Sequence, residues 1–311
     1  MPPWLIKAGI QRGISLLPHS HRWNELFQRY VTRSLALERT GFESRLTHCR
    51  THLHHYAELR PERSMPASAL EIGTGWYPVV AVGLFLCGVE RIWTYDIAPL
   101  LASDRLDRML AFFDDYARSG ELNRQLPAAR PQRIERLRQL RTAHSPPGDL
   151  LASVGIRAVV GDARRTGLPA GVVDLIFSTA VLEYIAFPAL VELFRELRRV
   201  ASPAAAMSHY VDLSDQYSHF DRRITPFNFL RYPTRHWKYL DNALIPQNRL
   251  RISDYRSAVA HGGWDLRTEI TDRADESQLA QVRMAPEFRR YPLPDLLVLS
   301  AWLTALPKDD L

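Results

Sequence analysis

The segment with the clearest chemical meaning is Leu70–Pro78, which reads LEIGTGWYP. A short apolar run leads into Gly73 and Gly75, which are separated by one residue, and an apolar stretch long enough for a helix follows. Glycine lets the backbone turn sharply and approach a ligand that a Cβ would block. A strand, a glycine turn and a helix in this order place a ligand at the carboxyl end of the strand. The pattern therefore predicts a small-molecule site at this turn.

Asp96 lies at the distance from the glycine turn at which nucleotide-binding sites place a carboxylate that binds the ribose. Asp96 follows Gly75 by 21 residues and ends a second apolar run, residues 91–96. A carboxylate there accepts hydrogen bonds from both hydroxyls of a ribose, so the spacing indicates a cofactor that carries a nucleoside. A dinucleotide is disfavoured, because Pro78 occupies the third glycine position of G-x-G-x-x-G. The chain has no G-x-x-x-x-G-K-[ST], which excludes a P-loop.

Four segments together resemble the class I S-adenosylmethionine (SAM)-dependent methyltransferases over residues 66–271. The sequence EIGTG at 71–75 looks like the glycine-rich first motif of that family, and Asp96 looks like its ribose-binding acid. Gly161-Asp162-Ala163 is similar to the acidic loop beside the adenine. The sequence DLIFS at 174–178 resembles the fourth-strand motif of the family, and LEYI at 182–185 resembles the short segment that follows that strand.

The resemblance implies a cofactor, its product and a set of binding residues. SAM carries a sulfonium cation and no phosphate, so an acid in the glycine motif is acceptable where a pyrophosphate would be repelled. Transfer of the methyl group leaves S-adenosylhomocysteine. The cofactor-binding residues implied by the resemblance are Glu71, Gly73, Thr74, Gly75, Asp96, Ile97, Asp162, Ala163 and Ser178.

The acceptor is expected beside the end of the fifth strand, where the chain reads HYVDLSDQYSH from residue 209. Imidazoles titrate near neutrality, so His209 is predicted to be the base that takes a proton from the acceptor. Asp212 could orient either His209 or His219, and a purely structural His–Asp pair is an equal alternative. The predicted substrate-binding residues are Glu183, Tyr184, Tyr210 and His219.

We expect the acceptor to be an O, N or C nucleophile of a small metabolite. Family members that methylate base amino groups usually carry an Asn/Asp-Pro-Pro-aromatic loop after the fourth strand, and this chain has STAV at 178–181 instead. Methylation of a pyrimidine carbon requires a nucleophilic cysteine, and neither Cys49 nor Cys87 lies in a suitable loop. An RNA or tRNA ribose methyltransferase stays open, with the arginines of 124–141 gripping phosphate. A non-catalytic SAM-binding module is the third alternative.

The elements that must position these residues alternate along the chain. Strands are predicted at 69–72, 91–96, 156–160, 174–177, 204–211, 266–270 and 296–302, with helices between most of them. Such alternation predicts an α/β fold with a doubly wound, mostly parallel sheet, and the resemblance implies seven strands. The predicted organisation is a helical N-terminal cap (1–65) and a SAM-binding Rossmann-like domain (66–311). This domain is expected to hold a basic helical insertion (104–150) and a substrate cap (212–250).

Composition bounds the alternatives. The chain has 311 residues, is 46% hydrophobic, carries a formal charge of +6 and contains two cysteines. These values exclude global disorder and a disulfide scaffold, and they favour reduced thiols in a cytoplasmic protein. No stretch is apolar enough for a membrane span. His48, His52 and His55 share one helix face, but no further ligand completes a zinc site, so no metal is expected. The sequence leaves the oligomeric state open.

Overall fold

The described part of the chain forms one seven-stranded sheet with the strand order β3-β2-β1-β4-β5-β7-β6. The structure is a computed structural model that describes residues 3–17, 36–141, 145–242 and 246–308. Strands β1 to β5 run parallel to one another, and β7 pairs antiparallel with both β5 and β6. The strands are β1 Ser68–Ile72, β2 Arg91–Asp96, β3 Ile156–Val160, β4 Val173–Thr179, β5 Ala201–Asp212, β6 Trp264–Arg273 and β7 Val298–Pro307.

Helices cover both faces of the sheet, which confirms the predicted α/β class. The α-helices are α1 Pro3–Ser15, α2 Arg39–Leu59, α3 Val79–Cys87, α4 Ser103–Arg118, α5 Glu121–Gln125, α6 Pro131–Leu140, α7 Pro147–Ala152, α8 Phe187–Val200, α9 Thr234–Trp237, α10 Ile252–His261, α11 Glu276–Ala280 and α12 Leu293–Leu296. Short 3-10 helices lie at Ala163–Arg165, Leu182–Tyr184, Asn228–Arg231 and Pro286–Arg290. None of the described helices is long and apolar enough to cross a membrane.

The centre of the sheet explains why its first strand reads as an uninterrupted run. All five residues of β1 are buried, because β2 and β4 flank the strand and helices cover both of its faces. The following helix α3 is buried along all nine of its residues. It ends at Gly88, whose φ of +123° suits glycine. Both β1 and α3 are therefore surrounded by protein, and only the turn that joins them faces open space.

Strands β6 and β7 are longer than the sequence predicts. We expected residues 266–270 and 296–302, whereas β6 is Trp264–Arg273 and β7 is Val298–Pro307. The two strands pair antiparallel along their whole length, from Trp264 opposite Pro307 to Arg273 opposite Val298. Backbone hydrogen bonds thus carry β6 through the polar residues Thr271, Asp272 and Arg273, where composition alone gives no strand signal.

The N-terminal helix α1 lies against the segment that follows β5. Trp4 packs on Tyr217 and Tyr232, with ring centroids 5.6 and 5.9 Å apart. The guanidinium of Arg12 donates to the backbone oxygens of Lys238 (2.6 Å) and Asp241 (2.8 Å). These contacts join α1 to the cap segment, by which we mean residues 213–242 together with 246–250.

Residues 18–35 precede helix α2 and lie outside the described residues. This stretch of the predicted N-terminal cap includes Leu26, Tyr30 and Leu35. Helix α2 packs across β5 through the side chains of His52 and His55, which both hydrogen-bond to Ser208 Oγ at 2.9 Å. Helix α2 and strand β1 belong to the same hydrophobic core. The division of the chain into a cap and a SAM-binding domain at residue 65 therefore stays a prediction.

The basic stretch 124–141 folds mainly into α5 and α6. Arg133 donates to the carbonyls of Phe85 and Val89 at the end of α3, at 2.7 and 2.6 Å. Arg138 and Arg141 of this stretch, together with Arg118 of α4, surround the buried carboxylate of Asp114. Much of this positive charge is therefore bound within the fold.

Candidate active site

A cavity of about 950 Å³ lies at the carboxyl ends of the parallel strands. One side, here called the glycine side, consists of the loops after β1, β2 and β3, including residues 71–77, 95–98 and 161–164. The opposite side, here called the helix side, consists of α1, α2, the segment after β4 and the cap segment. The volume is near the upper end of the range of about 300–1,000 Å³ typical of small-molecule sites.

The glycine turn opens on the cavity as the sequence predicts. Gly73 and Gly75 have φ of +81° and +63°, a region that side chains disfavour. A Cβ on Gly73 would lie 2.3 Å from Cγ2 of Val181, whereas a Cβ on Gly75 would meet nothing within 4 Å. Gly73 thus allows close packing against the segment after β4, and Gly75 leaves bare backbone at the cavity wall. Thr74, between them, also lines the wall, and its hydroxyl has no hydrogen-bond partner.

Asp96 closes this side of the cavity and holds the glycine turn in place. Its Oδ2 accepts from the backbone nitrogen of Gly75 at 2.9 Å, and its Oδ1 accepts from that of Ala98 at 3.0 Å. A carboxylate has about four acceptor positions, so two backbone bonds leave capacity for further donors. Ile97, which is 77% exposed, stands beside it on the cavity wall.

Glu71 contributes a buried carboxyl group to the same wall. Its Oε2 has no hydrogen-bond partner. Burial, reinforced by the negative charge of Asp96, raises the pKa of Glu71 well above its usual range, and the positive charge of Arg45 opposes this shift. A buried carboxyl oxygen without a partner on a cavity wall suits a cationic group of a ligand, which would satisfy both its hydrogen bonding and its charge.

The loop after β3 supplies Asp162 and Ala163 to the cavity wall. The guanidinium of Arg164 hydrogen-bonds both oxygens of Asp162 and lowers the pKa of that carboxyl. Arg164 also pairs with Glu192 at 2.8 Å. The carboxylate of Asp162 is therefore held in one orientation, and it stays about half-exposed at the cavity edge.

His209 lies elsewhere, and the geometry argues against its assignment as the base. The side chain is fully buried, does not line the cavity and packs edge-on against Phe194 of α8, with centroids 5.7 Å apart. Its Nδ1 hydrogen-bonds to Ser178 Oγ at 2.8 Å, and burial lowers its pKa to about 3. Ser178 is equally buried and likewise does not line the cavity, so it supports the wall from beneath rather than contacting a ligand.

Asp212 orients His219 rather than His209. Its Oδ2 lies 2.9 Å from His219 Nε2 and accepts from Gln216 Nε2 at 3.0 Å, and Gln216 Oε1 in turn accepts from the hydroxyl of Tyr184 at 3.0 Å. The hydrogen bond to Asp212 raises the pKa of His219. Burial acts to raise the pKa of Asp212, but the hydrogen bonds from His219 and Ser214 outweigh it and lower that pKa.

Three of the predicted acceptor residues thus belong to one hydrogen-bonded chain that reaches the cavity. Tyr184 and Gln216 line the cavity, whereas Asp212 and the largely exposed His219 stand behind them. The sequence analysis overlooked Gln216, because one glutamine in a segment without periodicity carries no signal. Two further predicted residues do not line the cavity: Glu183 is buried, with a pKa raised by burial, and Tyr210 stacks on His48.

Comparison with known proteins fits this architecture. Residues 131–208 match the family model described as a methyltransferase domain. The matched stretch runs from α6 almost to the end of β5 and so contains β3 and β4, while the glycine turn and Asp96 precede it. This part of the chain is therefore similar to a methyltransferase domain. No curated protein matches the chain.

Several solved structures resemble this chain at low identity. A protein described as a sarcosine dimethylglycine methyltransferase from Galdieria sulphuraria is 16% identical over 85% of both chains, with a TM-score of 0.45. One described as an S-adenosylmethionine-dependent methyltransferase from Listeria monocytogenes is 12% identical over 82% of this chain and 98% of its own (TM-score 0.43). Geranyl diphosphate C-methyltransferase from Streptomyces coelicolor A3(2) is 13% identical over 77% and 72%, respectively (TM-score 0.40). TM-scores below 0.5 leave the acceptor open.

The cavity also has lining residues that the sequence analysis did not predict as site residues. On the helix side these are Lys7 and Gln11 of α1 and Ser44, Arg45 and His48 of α2. The spacing of the α2 histidines shows that they share one face, but only the structure shows that this face turns inward. Nδ1 of His48 is buried without a hydrogen-bond partner. Burial, helped by the charge of Arg45, lowers the pKa of His48 to about 4, so its imidazole is neutral near pH 7.

Proposed function

We propose that the protein moves a methyl group from SAM to an O, N or C nucleophile of a small metabolite and releases S-adenosylhomocysteine. One observation carries the proposal. A single cavity joins the glycine turn, with its unpartnered Glu71 and its Asp96, to a second half covered by α1, α2 and the cap segment. The first half suits the cofactor, and the second suits an acceptor of modest size.

The cofactor roles follow from the chemistry of the groups that line the glycine side. Glu71 would bind the ammonium of the methionine moiety, and the backbone of residues 73–75 would contact the same moiety. Asp96 would accept from the ribose hydroxyls, because its two backbone hydrogen bonds leave acceptor capacity. Ile97 and Ala163 would flank the adenine, and Asp162 would face its amino group.

Arg45 is the best candidate for the carboxylate of the methionine moiety. Arg45 lines the cavity and interacts electrostatically with Glu71, and its guanidinium donates to the backbone oxygen of Gly41 at 3.0 Å. Burial lowers the pKa of Arg45, which a neighbouring carboxylate would reverse. Glu71 and Arg45 together would thus receive both charged ends of an amino acid.

SAM supplies an activated methyl carbon, and the chain supplies position and a dry environment. Holding the acceptor in line with that carbon contributes about 7–11 kcal/mol in well-oriented reactions. Where the nucleophile carries a proton, the free Nδ1 of His48 is the base that the cavity offers, since the group is neutral at pH 7 and lines the wall. Tyr184 and Gln216, tied to Asp212, would orient the acceptor from the other side.

Two observations favour a small molecule over RNA. The helix side of the cavity is covered by α1 and the cap segment, which Arg12 holds together. Among the arginines of 124–141, Arg133 caps α3, and two others pair with Asp114. Neither arrangement leaves an open basic groove of the kind that a nucleic-acid backbone follows.

Calorimetric titration with SAM and with S-adenosylhomocysteine tests the cofactor. Wild type should bind both, and Asp96→Ala should bind each at least about a hundredfold more weakly, because the substitution removes a sugar ligand and two backbone hydrogen bonds. Asp107→Ala, an exposed site on α4, is the matched control and should bind like wild type. Absence of heat with SAM, or equal binding by Asp96→Ala, contradicts the proposal. Incubation of wild type with a metabolite extract and isotopically labelled SAM then reveals the acceptor.

A further inference from the structure

Helix α1 presents two polar side chains to the helix side of the cavity. Lys7 and Gln11 are four residues apart, which places them on one face of the helix, and both line the cavity. Gln11 is fully buried, yet neither its amide nitrogen nor its amide oxygen has a hydrogen-bond partner. An amide that is buried without partners costs about 1–3 kcal/mol. Its position therefore calls for a ligand that supplies the missing partner.

The position of Gln11 is imposed by contacts outside the pair. On α1, Arg12 donates to two carbonyls of the cap segment, and Trp4 packs on Tyr217 and Tyr232. These contacts fix the side of α1 that faces the protein. The fold thus holds the amide of Gln11 against the cavity without a partner.

Lys7 adds a positive charge on the same helix face as this amide. Burial lowers its pKa, and its ammonium lies 4.3 Å from the ring centroid of Phe220. Among the described residues, no carboxylate forms an ion pair with Lys7. The carboxylates that line the cavity are Glu71, Asp96 and Asp162, and all three lie on the glycine side.

We propose that the methyl acceptor is an anionic small molecule whose carboxylate or phosphate oxygens are bound by the Lys7 ammonium and the Gln11 amide. The inference rests on the proposed function, since it assigns the part of the helix side that α1 lines to the acceptor. The ammonium and the Nε2 hydrogens both donate to the oxyanion, and Oε1 of Gln11 accepts from a hydroxyl or amine of the same molecule. The anionic group is the anchor, and another atom of the acceptor receives the methyl group.

Three probes of similar size and shape test the charge preference. They are 2-naphthoate, its neutral counterpart 2-naphthamide, and 2-naphthyl phosphate, each titrated into the full chain in the presence of S-adenosylhomocysteine, with ligand-observed NMR as the readout. Wild type should bind at least one anion about tenfold or more tightly than the amide, as expected for charge-assisted hydrogen bonds. The stronger of the two anions shows whether the anchor is a carboxylate or a phosphate.

Substitutions on α1 test whether Lys7 and Gln11 cause the preference for anions. Lys7→Met should abolish the advantage of the anion, and Gln11→Leu should reduce it while raising the melting temperature of the ligand-free protein, because an unpartnered amide is removed. Lys238→Met removes the same charge from the cap segment outside the cavity and should leave the preference unchanged. Equal binding of amide and anions, failure of both anions to bind, or equal effects of Lys7→Met and Lys238→Met would overturn the proposal. Failure of the proposed function is seen separately, as absent binding of SAM.

Discussion

Binding of SAM should expel a proton from Glu71, and Glu71→Gln should abolish this release. In the ligand-free protein, burial and the charge of Asp96 keep the pKa of Glu71 well above its usual range, so the carboxyl keeps its proton to a higher pH than an ordinary glutamic acid does. A bound ammonium favours the carboxylate form, and ionisation then accompanies binding. The affinity for SAM therefore rises with pH up to the pKa of the free protein, with a slope of at most one proton.

The size of the effect follows from the contact that is lost. A hydrogen bond to a charged group contributes about 1.5–3 kcal/mol, so Glu71→Gln should weaken SAM binding about 10- to 150-fold. Stability changes in the opposite direction. Because the pKa of Glu71 is raised in the folded chain, folding stability falls as pH increases from about 4.3 through that higher value. Glu71→Gln removes this loss, so the ligand-free variant should be more stable than wild type at pH 7 and similar at pH 4.

Calorimetry in buffers of different ionisation enthalpy counts the protons released on binding. Glu183→Gln is the matched control, since Glu183 is also a buried carboxyl with a raised pKa but does not line the cavity. The control should gain stability near neutral pH and keep both the SAM affinity and the proton release of wild type. If Glu71→Gln binds SAM as wild type does, with the same proton count, the assignment of Glu71 to the ammonium is refuted.

Three further perturbations test individual contacts. Gly73→Ala should cost at least about 1–2 kcal/mol in chemical denaturation, because of its positive φ and the clash with Val181; adding Val181→Ala should restore only the part due to the clash. The ion pair with Asp212 raises the pKa of His219, so its stabilisation is present below about pH 6.5 and lost as pH rises through the folded-state value; melting curves of His219→Gln should lack this dependence. Asp114→Ala should destabilise the fold by about 3 kcal/mol, because three arginines lose their buried partner, and an unchanged urea midpoint would contradict this.

The glycine side of the cavity was predictable because its signals are local. Strand β1 is buried on both faces, so it reads as an apolar run, and a turn with positive φ requires glycine directly after it. Asp96 ends the neighbouring parallel strand, so it lies at the same edge of the sheet. Short-range patterns and the rule that parallel strands share a carboxyl edge therefore locate Glu71, the glycines and Asp96 together.

The helix side was not predictable, because it depends on faces and on distant contacts. Successive residues of a strand point to opposite faces, so Ser208 meets the histidines of α2 while His209 meets Phe194 of α8. Nothing in the sequence says which face of β5 adjoins the cavity. The inward position of Gln11 depends on a contact between Arg12 and a residue 226 positions later. Such a pairing leaves no periodic trace.

The position of β7 has a consequence for synthesis on the ribosome. This strand follows the other six along the chain, yet it lies between β5 and β6 in the sheet. While residues 298–307 are still in the exit tunnel, β6 has no neighbouring strand, and one edge of β5 is unpaired and open to water or to a chaperone. Nascent chains halted before residue 298 should therefore be sensitive to protease, and protection of the β5 edge should come only after Pro307 has emerged.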